Sequence, residues 1–545
     1  MGAPQDNHSC LRRHRRKISL LVLIVVAAAV AVPLVIVKPW DKNTSKSDNS
    51  VNNNNNNGNP TNPTPPPINP TQPIVPSTND TAKANAYTPA LNEPFDYQNG
   101  SVKMRGVNLG GWLVLEPFIT PSLFVPYISN GVIDEWTLCQ HLGLDAATKL
   151  LDNHYNTWVT EDTFIRIRDL GLNHVRVPIG FWALGNLVAG EPYVPNLSWK
   201  YLVRAIEWAR KYGIRVQVEL HGAPGSQNGW NHSGRLGAIN WINGTNGAAN
   251  ALRTLPYLQQ MSTFFASPDY SHVNPIMGLL NEPNANVIGA DKVKAWYKQA
   301  LDVVRTAGGG IGNGPWAVIH DGFLGLSAWA GFLPGADRLM LGKYFREVDR
   351  QLQTNVGGLP FVSTVKVAAD KPALFSIIDT HSYITFDDNL LRMNRTSQLA
   401  FACKTWGSDI TTSTKAFGPT MVGEFSVATN DCATYLNGIG TGYRWNGTFD
   451  GSPPFSPNAT CTGQNDPTTY DANYKLFLLN FFNAQVDAWE QGAGWFFWNF
   501  KTEANPLWSY FDGVDGGWIP KDANNRGPSF CAANGYPVNV VRPSE

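Results

Sequence analysis

Charge is scarce in this 545-residue chain. Asp, Glu, Lys and Arg make up only 15%, and 42 acidic residues balance 42 basic ones, for a net charge of zero. A chain with no basic excess lacks the surface that bulk nucleic-acid binding requires, so no nucleic-acid partner is expected. The HExxH pattern is missing and the ten histidines are scattered, so no metal site is expected. Cysteine is rare as well: Cys10, then Cys139, Cys403, Cys432, Cys461 and Cys531. The five after Cys10 leave one unpaired. Cys139 is expected as a buried free thiol and the last four as two bridges.

A single run is long enough and apolar enough to cross a bilayer. Ile18 to Val37 is 20 residues without a charge, preceded by the basic cluster Arg12 to Lys17. That length spans the hydrocarbon core as a helix, and the basic flank stays cytoplasmic. A cleaved signal peptide has a shorter apolar core. The reading is a cytoplasmic tail (1–17), a transmembrane helix (18–37) and a stalk (38–92). Asn, Pro, Thr and Ser dominate that stalk and cannot bury a core. The main folded domain follows (93–545). The protein is thus expected in the plasma membrane, single-pass type II, with the main domain outside facing the cell wall. Nine N-x-S/T triplets beyond this run agree with an external location, at Asn43, Asn79, Asn99, Asn196, Asn231, Asn243, Asn394, Asn446 and Asn458.

From Val102 on, eight apolar β-type runs alternate with helical patterns. They are VKMRGVNLGGWL, NHVRVPIG, IRVQVELHG, NPIMGLLNEP, WAVIHDGF, FSIIDTHSY, TMVGEFS and GWFFWNF. SWKYLVRAIEWARKYG between two of them closes on a basic last turn and a glycine, as a helix C-terminus prefers. Strand–helix alternation implies a parallel sheet, and eight units imply an α/β fold, the (β/α)8 barrel. Polar groups gather at the same end of the runs: Arg176, His221, Asn281 with Glu282, His381 with Tyr383, Glu424 and Trp498. In this fold that end is the active face.

The run MGLLNEPNAN carries a carboxylate, Glu282, where an apolar strand stops at proline, and VGEFS carries a second, Glu424, three strands on. Glycoside hydrolysis uses such a pair: one carboxylic acid protonates the leaving oxygen, the other carboxylate attacks the anomeric carbon or activates water. Their environments must set their protonation states apart. Nineteen tryptophans suit a sugar-handling protein, although most serve the core.

The stretches MRGVNLGGWLVLEPFITPSLF, HGAPGSQNGWNHSG, LLNEPN, THSYITF, VGEFSVATNDCATYLNG and GWFFWNFKTE resemble the fungal exo-β-1,3-glucanases of glycoside hydrolase family five, from about Phe95 to the C-terminus. The resemblance implies Glu282 as acid/base and Glu424 as nucleophile of a retaining enzyme. It implies Asn281 beside the sugar 2-hydroxyl and Arg176 polarising Glu424. Tyr383 would hydrogen-bond the nucleophile, with His221 and His381 lining the site. Trp498 would lie under the terminal glucose and Glu116 would bind its hydroxyls, with Trp230 and Phe386 as aromatics at the entrance. It further implies bridges Cys403–Cys531 and Cys432–Cys461, no cofactor, a β-glucan substrate and a monomer. Three departures stand out: the N-terminal anchor and stalk, a long segment at 335–371, and Phe118 where a tyrosine is expected. Endo action, β-1,6 or β-1,4 preference, transglycosylation and glucan binding without turnover are the rival readings.

Overall fold

The computed structural model describes residues 80–98, 100–307, 314–332, 376–449, 451 and 453–538. The expected tail and transmembrane run lie outside these residues, as do most of the stalk, Asn43, Asn79, Asn99 and the 335–371 segment. No helix among the described residues is long and apolar enough to cross a membrane.

Eight parallel strands close into a barrel in sequence order. They are β1 (Met104–Asn108), β2 (His174–Gly180), β3 (Arg215–Gly222), β4 (Ile276–Gly278), β5 (Trp316–His320), β6 (Ser376–Ser382), β7 (Thr420–Phe425) and β8 (Gly494–Phe497). Closure runs through β8 and β1, Met104 facing Gly494 and Val107 facing Phe497. Buried apolar runs account for the strands, because a parallel sheet is covered on both faces.

Helices wrap the outside: α1 (Glu135–Trp158), α2 (Glu161–Asp169), α3 (Leu197–Tyr212), α4 (Gly247–Phe265), α5 (Ala290–Arg305), α6 (Gly407–Ala416) and α7 (Ala472–Trp489). Asp134 starts α1 with a reciprocal cap, its side chain accepting from Thr137 N at 2.7 Å while its own N–H donates to Thr137 Oγ1 at 3.1 Å. α3 stops at Gly213, whose φ of 69° is left-handed, a conformation glycine adopts without Cβ strain.

The bottom of the barrel is plugged by Phe95 and Tyr97 against Met104, Ile276, Val318, Ile377, Met421 and Phe496. Just before this plug the sequence reading needs correction. The segment expected to be stalk as far as 92 packs onto the barrel from Asp80. Asp80 pairs with Arg210 at 2.6 Å, Leu91 is buried, and the Arg215 guanidinium donates to the carbonyls of Pro89, Ala90 and Glu93. Side chains far along the chain collect these backbone groups, and local composition does not reveal them.

Both bridges, Cys403–Cys531 and Cys432–Cys461, are formed and Cys139 is a buried free thiol. The first closes 128 residues, a loop for which chain entropy gives about 5 kcal/mol.

Candidate active site

Arg176 is the hub of the site. It lies inside the barrel on β2 with 0% exposure. Its Nη1 donates to Asn108 Oδ1 at 2.7 Å and to Glu424 Oε1 at 2.8 Å, and its Nη2 donates to Asn281 Oδ1 at 2.7 Å. Nη2 also meets the Glu219 carboxylate. Gly278 on β4 makes room for Glu219, since a Cβ there would stand 2.6 Å from its Oε1. One fork thus binds β1, β2, β3, β7 and the turn after β4, which suits guanidinium and not ammonium geometry.

Glu424 is the penultimate residue of β7 and accepts from Tyr383 Oη at 2.9 Å on its second oxygen. Glu282 stands four residues beyond β4 with φ of +47°. A non-glycine residue there carries roughly 1–2 kcal/mol of backbone strain. Asn281 N–H, bonded to Leu220 O at 2.9 Å, and the Gln227 side chain, bonded to the carbonyls of His221 and Asn281 at 2.7 and 2.9 Å, hold that turn. The strained turn aims Glu282 inward.

His381 joins the two glutamates. β6 and β7 are in register so that His381 faces Glu424. Its Nδ1 is 2.6 Å from Glu282 Oε1 and 3.4 Å from Glu424 Oε2. Those two oxygens therefore lie within about 6 Å of each other, below the ~6.5–9.5 Å of inverting glycosidases and compatible with the ~5–5.5 Å of retaining ones.

Burial pushes the His381 imidazole toward neutrality, but the charges of Glu424 and Glu282 and its hydrogen bonds to Asp379 and Glu282 lift it to about 10. Burial likewise raises Glu282, and the His381 charge and hydrogen bond outweigh it, leaving the carboxyl below its ordinary value. Together the two shifts favour protonated His381 beside an ionised Glu282 in the free site. Burial, with the charges of Glu424 and Glu282 adding to it, raises Glu116 well above the carboxylate range. Burial, with Arg176 next, lowers His221 and keeps it neutral.

Glu282, His320 and His381 offer ligand atoms within 4.8 Å of one another. The 2.6 Å contact between His381 and Glu282 is a hydrogen-bond length, shorter than the ~3.3 Å separating two ligands of a tetrahedral zinc.

A cavity of about 940 Å³ opens above the pair. Nine of the eleven residues expected at the site line it. Glu116, His221, Trp230, Glu282, His381, Tyr383, Phe386, Glu424 and Trp498 line it, while Arg176 and Asn281 lie directly beneath. Trp498, at the end of β8, is parallel to His221 with a 6° interplanar angle. Phe118, the expected departure, packs edge-on against Trp508 at 5.5 Å.

Sequence reasoning missed several groups. Trp508 backs Tyr383 and Phe386 at 5.3 and 6.2 Å, and Phe323 meets Trp230 at 5.4 Å. Asp379 and His232 flank the histidine–glutamate pair: Asp379 lies 3.6 Å from His381 Nε2, and His232 lies 3.3 Å from Glu282 Oε2.

One expected glycosylation site is overturned. Asn231 is 9% exposed and lines the cavity, and its Ser233 is buried, so a glycan there would occupy the space above the glutamates. Asn196, Asn394 and Asn458 are exposed, and Asn243 and Asn446 are half-buried.

A closed eight-stranded barrel with two glutamates meeting over strands four and seven defines a paired-carboxylate site, on which acid and nucleophile roles can be divided. Residues 143–435, which include both glutamates, match the cellulase (glycosyl hydrolase family 5) family, and the chain belongs to it. It is 41% identical over 471 residues to a protein of Aspergillus niger named probable glucan 1,3-beta-glucosidase D, covering 84% of this chain and 51% of that one. The protein of the same name from Aspergillus clavatus is 42% identical over 471 residues, with the same coverage. The chain spans about half the length of the curated relatives it matches. Among solved structures, the rutinosidase from Aspergillus niger superposes with a TM-score of 0.53 at 19% identity, over 78% of this chain and 99% of that one, a likeness of fold.

Proposed function

We propose that the protein is a retaining β-glucosidase acting on β-1,3-glucan, releasing glucose from non-reducing ends. One observation carries this reading: a glutamate gripped by Arg176 and Tyr383 lies within reach of a second glutamate bound to a histidine. Arg176 and Tyr383 donate to Glu424, which fixes it for attack. Glu424 attacks C1 while the C1–O bond breaks and Glu282 delivers a proton to the leaving oxygen. Water then attacks C1, Glu282 takes its proton, and Glu424 is released.

Glu282 needs a proton at the first step. A sugar over Trp498 expels water from Glu282 and strengthens the effect of burial, which favours the protonated carboxyl. The names of the Aspergillus relatives support a β-1,3-glucan substrate.

The barrel is further proposed to face the cell wall, tethered by Ile18–Val37, for wall glucan remodelling or glucan degradation. The basic flank of that run and the exposed N-x-S/T triplets support the placement.

The test is to incubate the purified full-length chain with linear β-1,3-glucan and follow early products by proton NMR. Glucose appearing first as the β-anomer is expected. Early longer oligosaccharides would replace exo action by endo or transferase action, and α-glucose would overturn retention.

A further inference from the structure

The acid/base carboxyl is held from two sides, and the strands of the barrel build only one of them. On the inner side, Oε1 meets His381, whose side chain is 1% exposed. On the outer side, Oε2 meets His232 Nε2 at 3.3 Å, and the His232 side chain is 21% exposed. His232 belongs to the single turn Asn231–Ser233 after β3.

That turn is firmly anchored. Ser233 Oγ bonds Ser226 Oγ at 2.7 Å and donates to Trp230 O at 2.8 Å, and Gly234 ends the turn in the left-handed region. The His232 ring also lies 5.7 Å from His221 and 5.5 Å from Trp230, so it has packed neighbours on two sides.

The two oxygens of Glu282 therefore have different duties. Oε1 is committed to a sealed histidine, and a glycosidic oxygen arriving through the cavity reaches Oε2. The proton delivered to the leaving group is the one on Oε2, and His232 is the ring beside it.

We propose that His232 is a positioning residue for the acid/base. In the empty site the 3.3 Å contact holds Oε2 toward the cavity; once Glu282 takes up its proton, Nε2 accepts the Oε2–H bond and gives it up to the glycosidic oxygen. When His232 is itself protonated, its charge favours ionised Glu282. No bond to His232 forms or breaks in either step. The inference rests on the glycosidase reading of the site.

Other groups share this field. Arg176 on β2 and His381 on β6 lie on the cationic side and Glu424 on the anionic side, while burial holds His221 on β3 and His320 on β5 neutral and Glu116 protonated. The His221, His320 and His381 side chains are 1%, 0% and 1% exposed, so His232 is the histidine of the group that meets solvent. Its charge acts to lower Glu282, alongside the larger effect of His381.

The experiment compares the full-length wild type with His232→Gln and His232→Ala, on a β-1,3-linked glucose trisaccharide and on an aryl β-glucoside with an acidic phenol, across about pH 4 to 8. Gln keeps a polar group but cannot carry the charge. With His232→Gln, the alkaline limb of kcat/KM on the trisaccharide moves to higher pH, because Glu282 keeps its proton longer. With His232→Ala, kcat on the trisaccharide falls about tenfold and on the aryl glucoside less than about threefold, since only the poor leaving group needs the aligned proton. An unmoved alkaline limb in His232→Gln, or equal losses on both substrates in His232→Ala, overturns the proposal while leaving a glycosidase. A wild type that cleaves neither substrate overturns the glycosidase reading, and the role of His232 with it.

Discussion

Arg176→Lys separates the charge beneath the nucleophile from its geometry. The guanidinium makes three hydrogen bonds of 2.7–2.8 Å, to Asn108, Glu424 and Asn281, and contacts Glu219. An ammonium keeps the positive charge, but it is shorter and cannot direct donors to two sides of the barrel at once. Hydrogen bonds to charged groups contribute about 1.5–3 kcal/mol each. Loss of the one aimed at Glu424, with the nucleophile free to rotate about its remaining bond to Tyr383, corresponds to the ~10²–10³-fold effect of removing one preorganised donor. The expected result is a fall of about that size in kcat/KM on an aryl β-glucoside, a substrate that needs little acid help and so reports on nucleophile alignment. Melting of the variant within a few degrees of wild type would show that the barrel survives. A folded Arg176→Lys enzyme within about threefold of wild type would refute the assignment of Arg176 as the clamp on Glu424.

Three further outcomes follow from the same geometry. Glu282→Gln should lose about 10²–10⁴-fold on oligosaccharides while aryl glucosides keep their first step, visible as a burst of phenol; equal loss on both would remove its acid role. Trp498→Ala takes the flat face from beneath the sugar and should lower kcat/KM about 10–100-fold, the equivalent of burying one large side chain, and unchanged kinetics would exclude that platform. Glu490, 3% exposed, bonds Arg105 and Arg526 at 2.8 Å each. Burial opposes its ionisation, but those two arginines hold it down at about 2. Its stabilising contribution is thus complete above the unfolded pKa near 4.3 and is lost as pH falls toward about 2. Glu490→Gln should cost about 3–5 kcal/mol at neutral pH, read as a lower urea midpoint, and its stability should depend less on pH in the acid range.

The barrel was legible because each strand is a buried apolar run bounded by turn residues, and the two glutamates because they break such runs with a charge. The residues that shape the site from loops were not. His232 sits in a glycine- and asparagine-rich stretch where no periodicity assigns a direction. Trp508 reaches Tyr383 from beyond β8, and the contact depends on how the loop after Trp498 folds back. Glu219 and Asp379 face the barrel interior, where sequence alternation shows an inward position but not which charge it will meet. The packed segment from Asp80 was hidden for a related reason: Arg210 and Arg215, more than a hundred residues downstream, supply its partners. Asn231 shows the converse, since an N-x-S triplet marks chemistry available to an open chain, and folding placed it in the wall of the cavity.

The central claim is that Glu424 forms the bond to the sugar. The direct test is to treat the full-length enzyme with a 2-deoxy-2-fluoro-β-glucoside carrying a good leaving group, which slows release more than formation of the glycosyl-enzyme, and to map the adduct by peptide mass spectrometry. The account predicts a single fluoroglucosyl label on Glu424, absent from Glu424→Gln. A label on Glu282 or Glu116, or turnover with no covalent species in an active enzyme, would contradict it.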